Sequence, residues 1–339
     1  MIDTSPTPTA ADPATATAEA AVFTAPREAE VQDVPLPEPG PGQVRLKLEG
    51  SGVCASNVPV WEGREWFDYP QEPGGPGHEG WGIVDALGDG VTGLKVGDHV
   101  AAITYHAFAT HDLADAAGCV PLPPELDGVP FPGEPLGCAL NIYRRAGVEA
   151  GQTVAVVGVG FLGALLTQLA TADGARVIAL SRRDTSLDVA RQCGAAETVR
   201  LEEDRGSVVQ RVFEMTGGEG CPVVFECTGK EAPLNLAAEL CAVRGRLVVA
   251  GFHQDGPRCV DMQLWNWRGL DVINAHERDP AVYTEGIRLA VEAVAEGRMD
   301  PRPLLTHTYP LDRLADALEA ARTRPDGFMK ALVLTDPHA

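Results

Sequence analysis

The sequence lacks three features, and each absence excludes a class of protein. No run of about 20 apolar residues occurs, so we expect no membrane-spanning helix. Basic residues are scarce: 27 Lys and Arg stand against 48 Asp and Glu, and a net charge of -21 repels nucleic acid and anionic lipid. The N-terminus has no basic segment followed by an apolar one, so we expect no signal peptide and a cytoplasmic location. A salt-rich cytoplasm is an alternative explanation of the acidic surface.

Paired cysteines are also missing. The chain of 339 residues has eight cysteines, but no two of them form a C-x-x-C pair. In a chain of this length they do not indicate a disulfide framework, and most are expected to be small apolar core residues.

The pattern of apolar residues changes near residue 140. Residues 1–20 are rich in Thr, Ala and Pro and are predicted to form a disordered tail. Residues 21–140 contain short apolar runs between Pro and Gly, which predicts a mostly β domain. Residues 141–276 alternate strand-like runs with helical stretches, which predicts a doubly wound parallel sheet of the α/β class. Residues 277–339 are assigned to the C-terminal part of the first domain.

A glycine-rich turn opens the second domain. It reads Gly158-x-Gly160-x-x-Gly163 and lies between a predicted strand at 153–157 and a predicted helix at 162–172. The first glycine permits the tight turn, the second lets the backbone approach a pyrophosphate, and the third lets the helix pack close to the sheet. Free N–H groups at the helix N-terminus favour phosphates. The turn therefore predicts a dinucleotide-binding site.

The end of the second strand indicates which dinucleotide binds. An NAD enzyme usually carries Asp or Glu there, bonded to the ribose hydroxyls. Here Ser181, Arg182 and Arg183 occupy the place, and guanidinium groups match the geometry of a phosphate. The sequence therefore favours NADP(H). The alternative is that Asp184 takes the role of the acid and the arginines are solvated.

A thiolate, an imidazole and carboxylates precede this turn. Cys54 lies in a Gly-Val-Cys-Ala-Ser segment, His78 and Glu79 lie between two glycines, and Glu134 lies just before the second domain. This donor set suits a borderline-soft, tetrahedral ion such as zinc. A metal encoded beside a dinucleotide turn predicts hydride chemistry on an oxygen that the metal holds.

Two neighbours of these donors are placed by their spacing. Ser56 lies two residues after Cys54, so on an extended segment both side chains share a face. Cys138 lies four residues after Glu134 and would share a helix face with it, so either could approach the metal.

Taken in order, these motifs resemble those of the zinc-containing medium-chain dehydrogenases/reductases, and most of all the sorbitol (polyol) dehydrogenase branch. Segments 52–57, 77–80, 134–136 and 225–229 carry the resemblance, which extends from about Ala21 to Leu334. It implies a Rossmann cofactor domain beside a mostly β, GroES-like catalytic domain.

The resemblance assigns roles to single residues. It makes Cys54 and His78 metal ligands, Glu79 a residue that ligates the metal or swings onto it, and Glu134 a carboxylate that reaches it directly or through water. Ser56 passes the substrate proton outward. The cofactor is expected to contact the nucleotide turn, the Ser-Arg-Arg segment and two later loops: Gly158, Gly160, Phe161, Leu162, Gly163, Ser181, Arg182, Arg183, Thr228, Gly251 and Phe252. Trp61, Asn274 and His276 are candidates for substrate contact.

Three positions depart from the family pattern. Asn57 stands where the family usually has Asp, and a neutral amide is expected to weaken zinc binding. Pro59 stands where many members carry a relay histidine, so the proton must leave by another route. Between Gly97 and Pro121 the only cysteine is Cys119, so the four-cysteine lobe of a structural zinc is absent and we expect one zinc per chain.

The sequence thus predicts a zinc-dependent oxidoreductase that transfers hydride between NADP(H) and a polar secondary alcohol or ketone, such as a polyol, sugar or cyclitol. The alternatives are a metal-free quinone or enoyl reductase of the same superfamily and a non-catalytic NADP(H)-binding protein. We expect a homodimer or homotetramer with a small-molecule substrate and no nucleic-acid or membrane partner.

Overall fold

The computed structural model describes residues 16–201 and 204–335, and these residues form three β-sheets. The smallest consists of β1 (Thr17–Ala25) and β2 (Glu28–Pro35), paired antiparallel. Residues 1–15 of the predicted tail lie outside the described residues. The tail prediction is wrong for residues 17–20, whose side chains alternate between exposed and buried as the first part of β1.

The first part of the chain is mostly β. After β2 its strands are β3 (Gln43–Gly52), β4 (Gly80–Leu87), β5 (His99–Ala102), β6 (His111–Asp115) and β7 (Cys119–Pro121). A short helix α1 (Asn57–Glu62) follows β3, and α2 (Gly133–Ala146) follows β7. The predicted domain boundary after residue 140 falls inside α2.

A six-stranded parallel sheet follows. Its strands are β8 (Thr153–Val157), β9 (Arg176–Ser181), β10 (Glu197–Arg200), β11 (Cys221–Glu226), β12 (Cys241–Val249) and β13 (Asp271–Asn274). The helices between them are α3 (Phe161–Ala172), α4 (Asp184–Gln192), α5 (Arg205–Met215), α6 (Glu231–Leu240) and α7 (Met262–Arg268). The strand order is β10-β9-β8-β11-β12-β13. This confirms the predicted doubly wound fold, with the order reversing between β8 and β11.

Burial on both faces explains the apolar runs of this sheet. Along β8, Val154 and Val156 belong to one core cluster, whereas Ala155 and Val157 belong to another. A strand with a core on each side must be apolar where it is buried, which Val154 to Val157 of β8 satisfy.

The last segment returns to the sheet of the first part. It contains α8 (Pro280–Ala295), β14 (Leu305–Pro310), α9 (Leu314–Thr323) and β15 (Lys330–Leu334). The seven-stranded sheet has the order β14-β15-β3-β4-β5-β7, with β6 paired to β3. The division into domains at residues 21, 141 and 277 stays a prediction. Among the described residues, no helix has the length and apolar character of a membrane span.

Candidate active site

Strand pairing brings the metal donors together. Cys54 follows β3 and His78 and Glu79 precede β4, and these strands pair antiparallel with Ser51 opposite Gly80. Cys54 Sγ, a ring nitrogen of His78 and a carboxylate oxygen of Glu79 therefore lie within 4.8 Å of one another. Bonds of about 2.0–2.3 Å in a tetrahedral zinc site separate the ligand atoms by about 3.3–3.8 Å, so small side-chain rotations suffice to close the site.

The imidazole of His78 is oriented by a backbone carbonyl. Its Nδ1 lies 2.9 Å from the carbonyl oxygen of Pro76. Because a carbonyl only accepts hydrogen bonds, Nδ1 carries a proton, and Nε2 is the ring nitrogen that a metal would bind in place of a proton.

Asn57 joins the two segments that carry these donors. Its side chain is buried, its Oδ1 accepts a hydrogen bond from the Cys54 N–H at 2.8 Å, and its Nδ2 donates to the Pro76 carbonyl at 3.0 Å. Both of these partners are backbone groups. The expected weakening of zinc binding by the amide stays a prediction, because neither bond reaches the His78 ring.

The electrostatics of the site favour a positive charge. Burial disfavours the charged imidazolium, but the hydrogen bond and negative charge of Cys54, with the charges of Glu134 and Glu79, raise the pKa of His78 to about 10. One buried oxygen of Glu79, Oε2, accepts no hydrogen bond of good geometry, although the ammonium of Lys330 lies 2.5 Å from it. A soft thiolate, an imidazole and carboxylates in such a field fit a zinc ion.

Glu134 lies in the first turn of α2, near these donors but outside the group of three. Cys138 donates a hydrogen bond from Sγ to Glu134 Oε1 at 3.2 Å, as their spacing on one helix face predicts. Burial raises the pKa of Glu134, and the negative charge of Glu79 adds to the shift while the charge of His78 opposes it. Glu134 is thus a fourth donor that could reach the metal directly or through water.

Ser56 does not lie on an extended segment, so that part of the prediction is wrong. The Asn57 N–H donates to the Cys54 carbonyl at 3.0 Å, which closes a turn, and Ser56 has φ −68° and ψ −18° at the start of α1. Local hydrogen bonding in the turn replaces the alternation of a strand. The Ser56 side chain makes no capping hydrogen bond.

Trp61, a candidate for substrate contact, is a core residue, and we correct that assignment. Its side chain is 1% exposed, packs edge-on against Phe23, and donates its indole N–H to Glu319 at 2.8 Å. Glu319 lies on α9, which covers α1 and removes the indole from any open surface.

The nucleotide turn has the geometry that its glycines predict. Gly158 has a φ of +100°, and a Cβ on Gly163 would lie 2.1 Å from the Gly158 carbonyl oxygen. A Cβ on Gly160 would meet nothing within 4 Å, so open space faces the backbone where a pyrophosphate would approach. Phe161 and Leu162 begin α3 at this point, and their N–H groups belong to its unsatisfied first turn.

The end of β9 carries a cluster of arginines. Ser181 is buried and its Oγ accepts from the Arg183 N–H, while the Arg183 guanidinium donates to the Phe328 carbonyl at 3.1 Å. Burial and the positive charges of Arg324 and Arg182 lower the pKa of Arg183, although Asp326 opposes this. Sequence reasoning missed Arg324, because it comes from the loop after α9 rather than from the nucleotide-binding sheet.

The remaining predicted cofactor contacts lie at the carboxyl ends of β11 and β12. The Thr228 N–H donates to the buried Glu226 carboxylate at 2.6 Å, and a Cβ on Gly251 would lie 2.2 Å from the Gly229 nitrogen. These loops therefore touch at the edge of the sheet where ligands of such folds bind.

Phe252, Asn274 and His276 lie together beyond that edge. Phe252 is exposed, and its ring stacks on the imidazole of His276 with centroids 5.2 Å apart. Asn274 Oδ1 accepts a hydrogen bond from the His276 N–H at 3.2 Å. Their predicted contacts with cofactor and substrate stay predictions.

A further residue of the site, Lys330, was missed from the sequence. Its Nζ lies 2.6 Å from Oε1 and 2.5 Å from Oε2 of Glu79, although only the contact with Oε1 has hydrogen-bond geometry. The available signal was a single charged residue in the otherwise apolar strand β15, since a buried lysine needs a partner.

Comparison with known proteins agrees with this geometry. Residues 40–139 match the family "Alcohol dehydrogenase GroES-like domain", and residues 162–292 match the family "Zinc-binding dehydrogenase". The chain is 29% identical to sorbitol dehydrogenase of Homo sapiens, with 86% of this chain and 88% of that protein covered. It is 29% identical to (R,R)-butanediol dehydrogenase of Neisseria gonorrhoeae, over 70% of this chain and 74% of that protein.

A solved structure is similar over nearly the whole chain. It is a putative zinc-binding dehydrogenase from Sinorhizobium meliloti 1021 bound to NADP, with a TM-score of 0.82, 26% identity, and coverage of 94% of this chain and 99% of that one. Fold and site together define an oxidoreductase that acts on alcohols. The chain belongs to the zinc-containing medium-chain dehydrogenase/reductase superfamily, and the sorbitol dehydrogenase branch is among its relatives.

Proposed function

We propose that this protein is a zinc-dependent, NADP(H)-preferring dehydrogenase that interconverts a polar secondary alcohol and its ketone. The observation that carries the proposal is the convergence of Cys54, His78 and Glu79 within 4.8 Å in a chain with an open nucleotide turn. Relatives named for sorbitol, (R,R)-butanediol and L-threonine support a substrate with neighbouring polar groups.

The roles of the side chains follow from their chemistry. Zinc held by Cys54, His78 and a carboxylate would polarise the alcohol oxygen and lower its pKa. Ser56, at the start of α1, is the proposed acceptor of the hydroxyl proton. Pro59 is buried and has no titratable group, so Ser56 passes the proton to the cofactor ribose or to water.

The preference for NADP(H) is supported by the arginine cluster. Arg182, Arg183 and Arg324 lie close enough for their charges to act on one another, and like charges held together favour an anion between them. The competing acid, Asp184, forms an ion pair with Arg200. The similar solved structure bound to NADP adds support from a relative.

A homo-oligomer is supported by the free edge of the parallel sheet. In the described part of the chain, β13 ends that sheet and pairs only with β12. Val272 on β13, Val243 on β12 and Trp267 on α7 are exposed. An unpaired edge with exposed apolar side chains invites pairing with a second copy, and a homodimer or homotetramer is the proposed state.

A substrate screen tests the proposal. Purified protein is assayed with polyols, secondary alcohols and their ketones, each with NADP(H) and NAD(H). The proposal expects turnover of at least one polar secondary alcohol, with a higher kcat/KM for NADP(H). A higher kcat/KM for NAD(H), or reduction of quinones or enones only, contradicts it.

A further inference from the structure

Lys330 is the one buried basic residue among residues 16–201 and 204–335. It is 5% exposed, and its ammonium contacts both oxygens of Glu79, which is 0% exposed. The two residues are separated by 251 positions, so the contact depends on β15 lying next to β3. A buried ammonium in contact with a candidate metal ligand must affect how that ligand binds a metal.

The ammonium is held in place from two sides. Lys330 Nζ lies 5.2 Å from the centroid of the Phe161 ring, within the range of a cation–π contact. A Cβ on Gly52 would lie 1.8 Å from Glu79 Oε2 and 3.0 Å from Lys330 Cε, so the pair fills the space that the absent side chain leaves. Lys330 therefore has a fixed position.

The ammonium competes with a metal for the Glu79 carboxylate. A carboxylate that contacts an ammonium at 2.5–2.6 Å already has its charge balanced, and a second cation on it would be repelled by the first. Glu79 is close to Cys54 and His78, but its carboxylate is paired with the ammonium of Lys330.

We propose that Lys330 is a positioning residue that holds Glu79 back from the metal, so that one coordination position stays open for the substrate oxygen. The inference rests on the zinc dependence proposed above. Cys54 and His78 are then the standing protein ligands together with Glu134, which reaches the metal directly or through water. Removal of Lys330 leaves Glu79 as a buried carboxylate without a cation, and it turns to the metal.

The test is a double-mutant cycle on the cobalt-substituted protein. Lys330→Met, Glu79→Gln and the double variant are loaded with Co²⁺, whose absorption bands weaken when its coordination number rises above four. Zinc affinity is measured in parallel by competition with a chelator. Lys95→Met is the matched control, because Lys95 is an exposed lysine whose ion pair with Asp98 lies on the surface.

The cycle has defined expected results. Lys330→Met binds zinc ~10–100-fold more tightly, the range for a residue that orients a ligand, and its cobalt bands weaken. Adding Glu79→Gln returns both affinity and spectrum toward those of the wild type, because the extra ligand is gone. In the wild-type background Glu79→Gln changes zinc affinity far less than it does beside Lys330→Met. Lys95→Met changes neither property.

Other results overturn the inference. Equal effects of Glu79→Gln in both backgrounds, or looser zinc binding by Lys330→Met with an unchanged cobalt spectrum, show that Lys330 does not restrain Glu79. If Lys330→Met does not fold, Lys330→Gln, which removes the charge but keeps a polar side chain beside Glu79, takes its place in the cycle with the same expected results. A wild type that binds neither metal refutes the zinc dependence as well, so the two failures are distinguishable.

Discussion

The side-chain oxygen of Asn57 accepts a hydrogen bond from the backbone N–H of Cys54 at 2.8 Å. The amide nitrogen of the same side chain donates to the Pro76 carbonyl, which also accepts from the His78 ring. One buried amide thus fixes the segment of the thiolate against the segment of the imidazole. Only a group with both an acceptor and a donor can make these two bonds.

Asn57→Asp is therefore expected to destabilise the protein. A carboxylate keeps the bond to the Cys54 N–H but loses the donor to Pro76 and places two oxygens against each other in a buried site. We expect a loss of about 1–3 kcal/mol in the free energy of unfolding, the cost of an unsatisfied buried group. Denaturant unfolding measures it, with the exposed Asn266→Asp as control. A variant as stable as the wild type contradicts the assigned role.

Replacing either proposed zinc ligand should remove metal and activity together. Cys54→Ser and His78→Ala lose turnover because the metal is lost, while the core clusters of the parallel sheet, which contain neither residue, stay intact and the protein still binds NADPH. Zinc content, alcohol oxidation and NADPH fluorescence are measured on the same preparations. Cys259→Ser is the control, since Cys259 is exposed. Full activity in a zinc-free Cys54→Ser protein would support the metal-free reductase instead.

The arginine cluster should determine the choice of cofactor. Arg182→Ala is expected to lose about 1.5–3 kcal/mol of NADP(H) binding, the value of a charge-assisted hydrogen bond, and Arg324→Ala a part of that. NAD(H) binding should change little in either variant, because it has no 2′-phosphate. Titration of NADPH and NADH by fluorescence provides both affinities. The exposed Arg191→Ala serves as control, and equal losses for the two cofactors would refute the assignment.

Ser56 should be needed for proton transfer and not for cofactor binding. Ser56→Ala is expected to lower kcat for alcohol oxidation by ~10²–10⁴, the usual range for a lost acid–base step. A substrate deuterated at the carbinol carbon shows whether the chemical step limits the rate, and the exposed Ser207→Ala is the control. If Ser56→Ala and wild type have equal kcat values while the isotope effect shows that the chemical step limits the rate, Ser56 takes no part in proton transfer.

The parallel sheet could be predicted from sequence because its signals are local. Val154 to Val157 form a continuous apolar strand, and the glycines that follow allow only a tight turn into a helix. The start of the first domain was harder to predict from sequence. Residues 17–20 have the composition of a disordered tail, but they pair with β2. That pairing, and not local composition, makes them a strand.

Only those residues of the site that lie in short sequence motifs could be predicted. The donors Cys54, His78 and Glu79 belong to short motifs, and the pairing of β3 with β4 brings them together. Lys330 is separated from its partner Glu79 by 251 positions, and Glu319 is separated from Trp61 by 258 positions. No local sequence pattern links residues this far apart. The spacing of Ser56 and Cys54 does not reveal the turn between them. That turn depends on the hydrogen bond from the Asn57 N–H to the Cys54 carbonyl.

The zinc content of purified, active enzyme tests the account most directly. Protein that oxidises a polar secondary alcohol with NADP should contain about one zinc per chain, lose activity on treatment with a chelator, and regain it with Zn²⁺ alone. Active protein with no zinc, or activity that survives complete removal of the metal, contradicts the account.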